Sequence, residues 1–325
     1  MQFIDSCRQG MILARYRLLD IHDTAPRMKM GITKVGAESI RLILKTKRKT
    51  GINVLYPSVN LYVNLPINMK GVHISRSLET LNEVLDTFKN KPIRYLENFC
   101  LKIAKALLRR HEYSTISEVF LKSSYYIARR SPATNNISDE YCSVYASALA
   151  EKHNNVLKVR RFIGAEIVGL TYCPCLMQEI RSYAINQLEA GFKVQTKEAQ
   201  KMVASVPLAS HNQRCKVYAL VETSNKMHID VDDLIEILES STSAPTFSLI
   251  KRDDEVQLIK QAANKPMFVE DVLREVSYKL MQRFPHLPED FTVHIRVESE
   301  ESIHKHNLIS ENRTSVGELK KDLAA

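Results

Sequence analysis

Tryptophan is absent from this 325-residue chain, and glycine is scarce at nine residues. Neither G-x-G-x-x-G nor G-x-x-x-x-G-K occurs, which argues against a glycine-rich loop as the phosphate-binding device. No apolar run approaches the roughly 18 residues that a membrane span needs. The N-terminal residues show no apolar stretch followed by a small-residue cleavage site, so neither a membrane partner nor a secretory route is expected. Cysteine is thin as well. The six residues Cys7, Cys100, Cys142, Cys173, Cys175 and Cys215 are too dispersed for a disulfide scaffold in so long a chain. A cytoplasmic location with reduced thiols free to ligate is the expectation.

What is present is a positive balance, with a formal charge of +9 and a pI near 9.1. Such a charge implies polyanionic company: nucleic acid, an anionic membrane or a phosphorylated substrate. The charge is dispersed, however. The densest run, Lys45 to Lys49, reads as a solvated hairpin end. No helical pattern carries a continuous basic face with interleaved aromatics, so nucleic acid is not expected as a partner.

Residues 1–20 read as an extension. Beyond them apolar residues alternate at Ile40, Leu42 and Leu44, then at Ile52, Val54, Tyr56, Val59, Leu61, Val63 and Leu65, the pattern of half-buried antiparallel strands. The period then lengthens. Leu78, Leu81, Leu85 and Phe88 mark one amphipathic helix, and Pro92 opens a second carrying Ile93, Leu96, Cys100, Ile103 and Leu107. Strand-like runs near 116–128 and 156–171 flank an irregular segment with Pro132 and Asn135-Asn136. A less regular second block follows. It has a helix-rich insertion (176–205), a strand through Val217, Ala219 and Val221, a helix capped near Asp230, a helix from about Phe268 to Phe284, and a strand over 291–298. The reading is α+β, with two antiparallel sheets each backed by helices: a first module over 21–172, a second over 173–312, and a flexible polar tail over 313–325. Open sheets leave exposed edges, so oligomerisation is expected.

The chemistry concentrates in the second block. Cys173-Pro174-Cys175 is followed, 36 residues after Cys175, by His211-Asn212-Gln213-Arg214. Further on come Lys251-Arg252-Asp253-Asp254-Glu255, Phe268-Val269-Glu270-Asp271 and Glu301-Ser302-Ile303-His304-Lys305-His306. Thiolate, imidazole and carboxylate together suit Zn(II) or Fe(II) and hydrolytic chemistry. Each motif is weak alone. Structural zinc sites space their thiols as C-x-x-C, and Glu255, Glu270 and Asp271 are ordinary acidic residues of a helix's first turn. Glu301 shares a face with His304 on a helix, whereas His304 and His306 share one on a strand. In the first block, Lys70-Gly71-Val72-His73-Ile74-Ser75-Arg76 precedes a helix, a setting that suits a phosphate or a plain capping loop.

Taken in order, KGVHISRS, TYCPC, SHNQR, KRDDE, MFVEDVLREV and ESIHKHN resemble the signature of the type IB GTP cyclohydrolase family over residues 20–310. The long segment between Cys175 and His211 is most similar to the archaeal branch. The resemblance implies a bimodular tunnelling fold (T-fold), two ββααββ units per chain, assembled as a homotetramer with active sites at subunit interfaces. It implies one divalent metal per subunit, Fe(II) first with Zn(II) or Mn(II) as alternatives. Cys173 and Glu255 would be ligands, with His211, Glu301, His304 and His306 around the metal and His211 or His304 moving protons. Glu270 would hold the guanine edge, and Lys70, His73, Arg76, Arg214 and Arg252 would face the triphosphate of GTP. The implied reaction opens the imidazole ring at C8, releases formate and gives a 7,8-dihydroneopterin phosphate, cyclic or triphosphate. Two other readings stay open: a tunnelling-fold enzyme on another purine or pterin, and a non-catalytic basic protein with salt-sensitive nucleic-acid binding. Asn64 in VNLP and Cys215 after HNQR depart from the family pattern, which favours an acidic and a small residue there.

Overall fold

The computed structural model describes residues 20–49, 51–89, 91–154 and 156–324. The expected N-terminal extension therefore lies outside the described residues, Asp20 excepted. After a 3₁₀ turn (Ile21–Asp23), the first part of the chain runs β1 (Ile32–Arg41), β2 (Leu44–Arg48), β3 (Gly51–Leu55), β4 (Ser58–Leu65), α1 (Ile74–Asp86), α2 (Leu96–Arg110), β5 (Ile116–Arg130) and β6 (Ile137–His153). It continues as β7 (Val156–Tyr172), α3 (Pro174–Phe192), α4 (Thr196–Ala204), β8 (Asn212–Thr223), α5 (Val231–Ser240) and β9 (Ala244–Pro245). Last come α6 (Arg252–Asn264), α7 (Val269–Arg283), β10 (Thr292–Ser299), β11 (Leu308–Ser315) and α8 (Val316–Ala324).

One antiparallel sheet spans the molecule in the order β1-β4-β5-β6-β7-β8-β10-β11, with β9 added beside the end of β7. The residues Val119, Leu121, Val144, Ala165, Val217, Val221, Ile295 and Val297 alternate onto one face and are buried there with α2, α5 and α7. Each such Val or Leu contributes roughly 1.5–3 kcal/mol by leaving water. The expected two-sheet arrangement is thus one continuous sheet, joined where β6 pairs β7. The order strand, strand, helices, strand, strand occurs twice along it, and the second run begins with β7 rather than after Tyr172.

Three expectations need correction. The segment read as irregular holds β6, 17 residues long. Its core-facing positions Ala146, Ala148 and Ala150 have little strand signal of their own, but their small side chains leave room for Phe99, Ile103 and Leu107 of α2. The helix expected from Pro92 starts at Leu96, because Ile93 donates its N–H to Lys45 O and accepts from Lys47 N beside β2. The polar tail is folded. β11 pairs with β10 along its length, and Val316 and Leu319 of α8 are buried. Charge on β11 reads as disorder in sequence, yet it suits an edge strand, where Glu311 meets His294 and Arg296. The basic hairpin end is exposed at Lys45, Lys47 and Lys49, as expected, and Arg48 and Lys49 also bind Asp232 and Asp233 in the first turn of α5.

Candidate active site

Cys173 and His211 are placed by the ladder between β7 and β8. Tyr172 pairs with Asn212, and one step further Cys173 donates its N–H to His211 O at 3.1 Å. Ser210 Oγ donates to Cys173 O at 2.7 Å, fixing the opposite side of the same turn. Pro174 then starts α3 at a position that tolerates the missing N–H, and Cys173 caps the helix with its Sγ 3.5 Å from Leu176 N. The two thiols of the C-P-C motif part company: Cys173 is half-buried and Cys175 exposed. Cys100, Cys142 and Cys215 are core residues, and burial pushes the Cys142 and Cys215 thiols up to about 12.

A polar chain runs inward from His211. Its Nδ1 lies 2.9 Å from Gln213 Oε1, Gln213 Nε2 donates to Glu301 Oε1 at 3.0 Å, and Ser299 Oγ donates to the same carboxylate oxygen at 2.8 Å. An ionised carboxylate only accepts, so the amide nitrogen of Gln213 must face Glu301 and its oxygen must face His211. His211 Nδ1 accordingly carries the proton, and Nε2 keeps its lone pair. Glu301 Oε2 lies 3.8 Å from His211 Nδ1, close enough to stabilise a protonated ring. The segment between β10 and β11 brings His304 to a 6.4 Å edge-on approach to His211, with His306 stacked on His304 at 5.2 Å.

Met267 donates its N–H to Tyr172 O at 3.0 Å, so the start of α7 is tied to the residue before Cys173. Glu270 is an exposed residue in the first turn of that helix. Arg214 is exposed and paired with Glu300 at 3.3 Å. Arg252 and Glu255 are exposed in the first turn of α6, while their neighbour Asp254 is fully buried. Asp254 accepts from Ala133 N, Thr134 N, Thr134 Oγ1 and Lys251 N, which hold its carboxyl well below the usual range.

Lys70, His73 and Arg76 stand apart at the start of α1. No hydrogen bond or ion pair among the described residues joins them to the Cys173 group. The His73 ring is buried against Asp23 at 2.9 Å and Asp20 at 3.5 Å, so acids rather than a phosphate surround it here. Asn64 has a clear role. Its Oδ1 accepts from Thr115 N and Ile116 N, both at 2.8 Å, a task that a carboxylate oxygen performs equally well.

A family model described as type I GTP cyclohydrolase folE2 matches residues 18–310. A GTP cyclohydrolase MptA 2 of Methanocella arvoryzae is 35% identical over 94% of this chain and 99% of its own. A GTP cyclohydrolase MptA of Methanococcus vannielii is 36% identical over 94% and 98%. The chain belongs to the type I GTP cyclohydrolase family. Among solved structures, a uricase from Arthrobacter globiformis superposes with a TM-score of 0.50 at 11% identity, covering 89% of this chain and 96% of its own. A urate oxidase from Bacillus sp. TB-90 gives 0.50 at 10% identity, covering 87% and 99%. These likenesses are of fold alone.

Within this cyclohydrolase, Gln213 and Ser299 were legible only in part. Both sit at core-facing positions of their strands, in phase with Val217 and Val297, and a polar residue in core phase marks a buried network. The metal donors expected from the sequence are a thiol, imidazoles and carboxylates, a set that would fit a borderline divalent ion. Among the described residues no three of Cys173, His211, Glu255, Glu301, His304 and His306 bring ligand atoms within 4.8 Å of one another. Within one chain His211, Glu301, His304 and His306 lie together beside the Cys173 turn, without a closed shell.

Proposed function

We infer that this chain hydrolyses GTP at C8 of guanine, releases formate and yields a 7,8-dihydroneopterin phosphate. The hydrogen-bonded chain His211–Gln213–Glu301 carries this reading: it holds an imidazole with a free Nε2 on the residue whose carbonyl accepts from Cys173 N–H, inside the region that matches the family. His211 Nε2 takes a proton from the attacking water, and Glu301 stabilises the imidazolium through Gln213. His304, edge-on to His211, returns a proton as the ring C–N bond breaks. Glu270 accepts the N1–H and 2-amino hydrogens of guanine through its two oxygens. A divalent ion held by Cys173 and Glu255, Fe(II) before Zn(II) or Mn(II), would supply Lewis acidity at the reacting water.

The phosphate-binding role of Lys70, Arg76, Arg214 and Arg252 belongs to an assembled oligomer in this reading, whereas His73, held by Asp20 and Asp23, is left out of it. The two clusters are unconnected within one chain, and the outer edges of β1 and β11 are unpaired among the described residues. Edge pairing of four chains would bring one chain's α1 loop to another's Cys173, giving a homotetramer of two-module subunits divided at the β6–β7 turn.

The experiment is anaerobic incubation of metal-stripped protein with GTP, with and without Fe(II), Mn(II) or Zn(II), followed by mass spectrometry. Formate with a dihydropterin is expected, and its mass separates a 2′,3′-cyclic phosphate from a triphosphate. Unchanged GTP under every metal overturns the reading.

A further inference from the structure

Asp20, His22 and His73 are the one group of described residues that places three metal-ligating atoms within 4.8 Å of one another. They come from two segments brought together by backbone hydrogen bonds. His22 O accepts from Lys70 N at 3.1 Å and from Gly71 N at 3.3 Å, which docks the 3₁₀ turn on the loop before α1. A Cβ on Gly71 would stand 2.8 Å from His22 Cδ2, so the ring fits against bare backbone and is held there. The two imidazoles lie 5.0 Å apart between centroids, with their planes tilted by 43°.

One of the spacings is that of a coordination sphere, while His22 Nδ1 and Asp20 Oδ1 stand 2.8 Å apart in a hydrogen bond that a bound ion would replace. Two donors at about 2.1 Å from a tetrahedral ion stand roughly 3.4 Å apart; His73 Nδ1 and Asp20 Oδ2 are 3.5 Å apart. The other nitrogen, His73 Nε2, is 2.9 Å from Asp23 Oδ1, a carboxylate that fixes the ring's orientation, as around bound zinc. The His73 ring is buried and the Asp20 and His22 side chains are about half exposed, which leaves an open side for water or an exchangeable ligand.

We infer that Asp20, His22 and His73 form a second divalent-metal site, separate from the Cys173 group, for a borderline ion of the Zn(II) or Co(II) class. Two imidazoles and one carboxylate with open positions suit such ions and disfavour Mg(II), which prefers oxygen. The alternative is a hydrogen-bonded His–Asp network that only pins the turn to α1, and metal stoichiometry separates the two.

The test uses the full chain, stripped and then dialysed against Zn(II), with bound metal counted by elemental mass spectrometry. Wild-type protein should hold one equivalent more than His22→Ala, whatever the Cys173 group binds, because that group is common to both. Loaded with Co(II), a Cys173→Ala protein should keep a visible d–d absorption without thiolate charge transfer, and adding His22→Ala should remove it. The His22 side chain is 52% exposed, so its truncation opens no core, and far-UV circular dichroism checks the fold. Equal Zn(II) content in wild type and His22→Ala, or a Co(II) band indifferent to His22→Ala, overturns the site.

Discussion

Tyr172 and Met267 meet in an isolated antiparallel bridge, the carbonyl of the first accepting the amide of the second at 3.0 Å. That single contact couples the Cys173 turn to the start of α7. Residues 95 apart in sequence are held in one place, and Glu270 rides on the first turn that follows.

Glu270→Ala should therefore weaken GTP binding far more than metal binding. The side chain is exposed, so the fold loses nothing, while a bidentate hydrogen bond to guanine disappears. Calorimetry with GTP and metal titrations on the same preparations decides it. Unaltered GTP affinity removes the guanine-holding role.

Cys173→Ala should abolish formate release without loss of tertiary structure. The thiol makes one long cap contact, at 3.5 Å to Leu176 N, and the turn is fixed instead by the backbone of His211 and the hydroxyl of Ser210. Turnover by a metal-replete Cys173→Ala protein would falsify its placement at the reacting centre.

Gln213→Leu tests the proton assignment on His211. Without the amide, Nδ1–H loses its acceptor and Glu301 loses a donor, so either ring nitrogen can carry the proton. Loss of such a supporting hydrogen bond is worth about 10- to 100-fold. The decrease should appear in kcat with a displaced pH profile, and KM for GTP should change little. A proportional change in KM alone, with the pH profile unmoved, would make Gln213 a structural residue only.

The strands with bulky alternation, β4, β8 and β10, were legible because Val, Leu and Ile repeat every second residue. β6 was not, since alanine fills its core phase and its partners in α2 supply the bulk from 46 residues or so away, as the Cys100 thiol to Ala146 carbonyl contact does. The ordered motifs gave the reaction family. They could not rank Asp254 against Glu255, because the four donors that bury Asp254 come largely from the β5–β6 turn. Nor could they show that acids surround His73, because Asp20 and Asp23 are about 50 residues upstream.

Glu97 offers the clearest pH test of the fold. α2 and α7 begin alike, Tyr95-Leu96-Glu97-Asn98 against Phe268-Val269-Glu270-Asp271, yet Glu270 is exposed and Glu97 is wholly buried. Neither carboxylate oxygen of Glu97 has a hydrogen-bond partner among the described residues, and His228 Nδ1, equally unpartnered, stands 3.7 Å away. Burial pushes the Glu97 carboxyl up from 4.5 to about 7. The folded chain thus keeps its proton where the unfolded chain has lost it. Below pH 4.5 both states are protonated and nothing is lost; between 4.5 and 7 stability falls as pH rises; above 7 the deficit is constant, about 3 kcal/mol at 1.36 kcal/mol per unit. Glu97→Gln keeps the shape and removes the ionisation. Its melting temperature should equal or fall slightly below that of wild type near pH 4.5 and exceed it at pH 8. A difference that does not grow across that window would mean that Glu97 ionises freely in the folded protein, through a water or ion bridging it to His228.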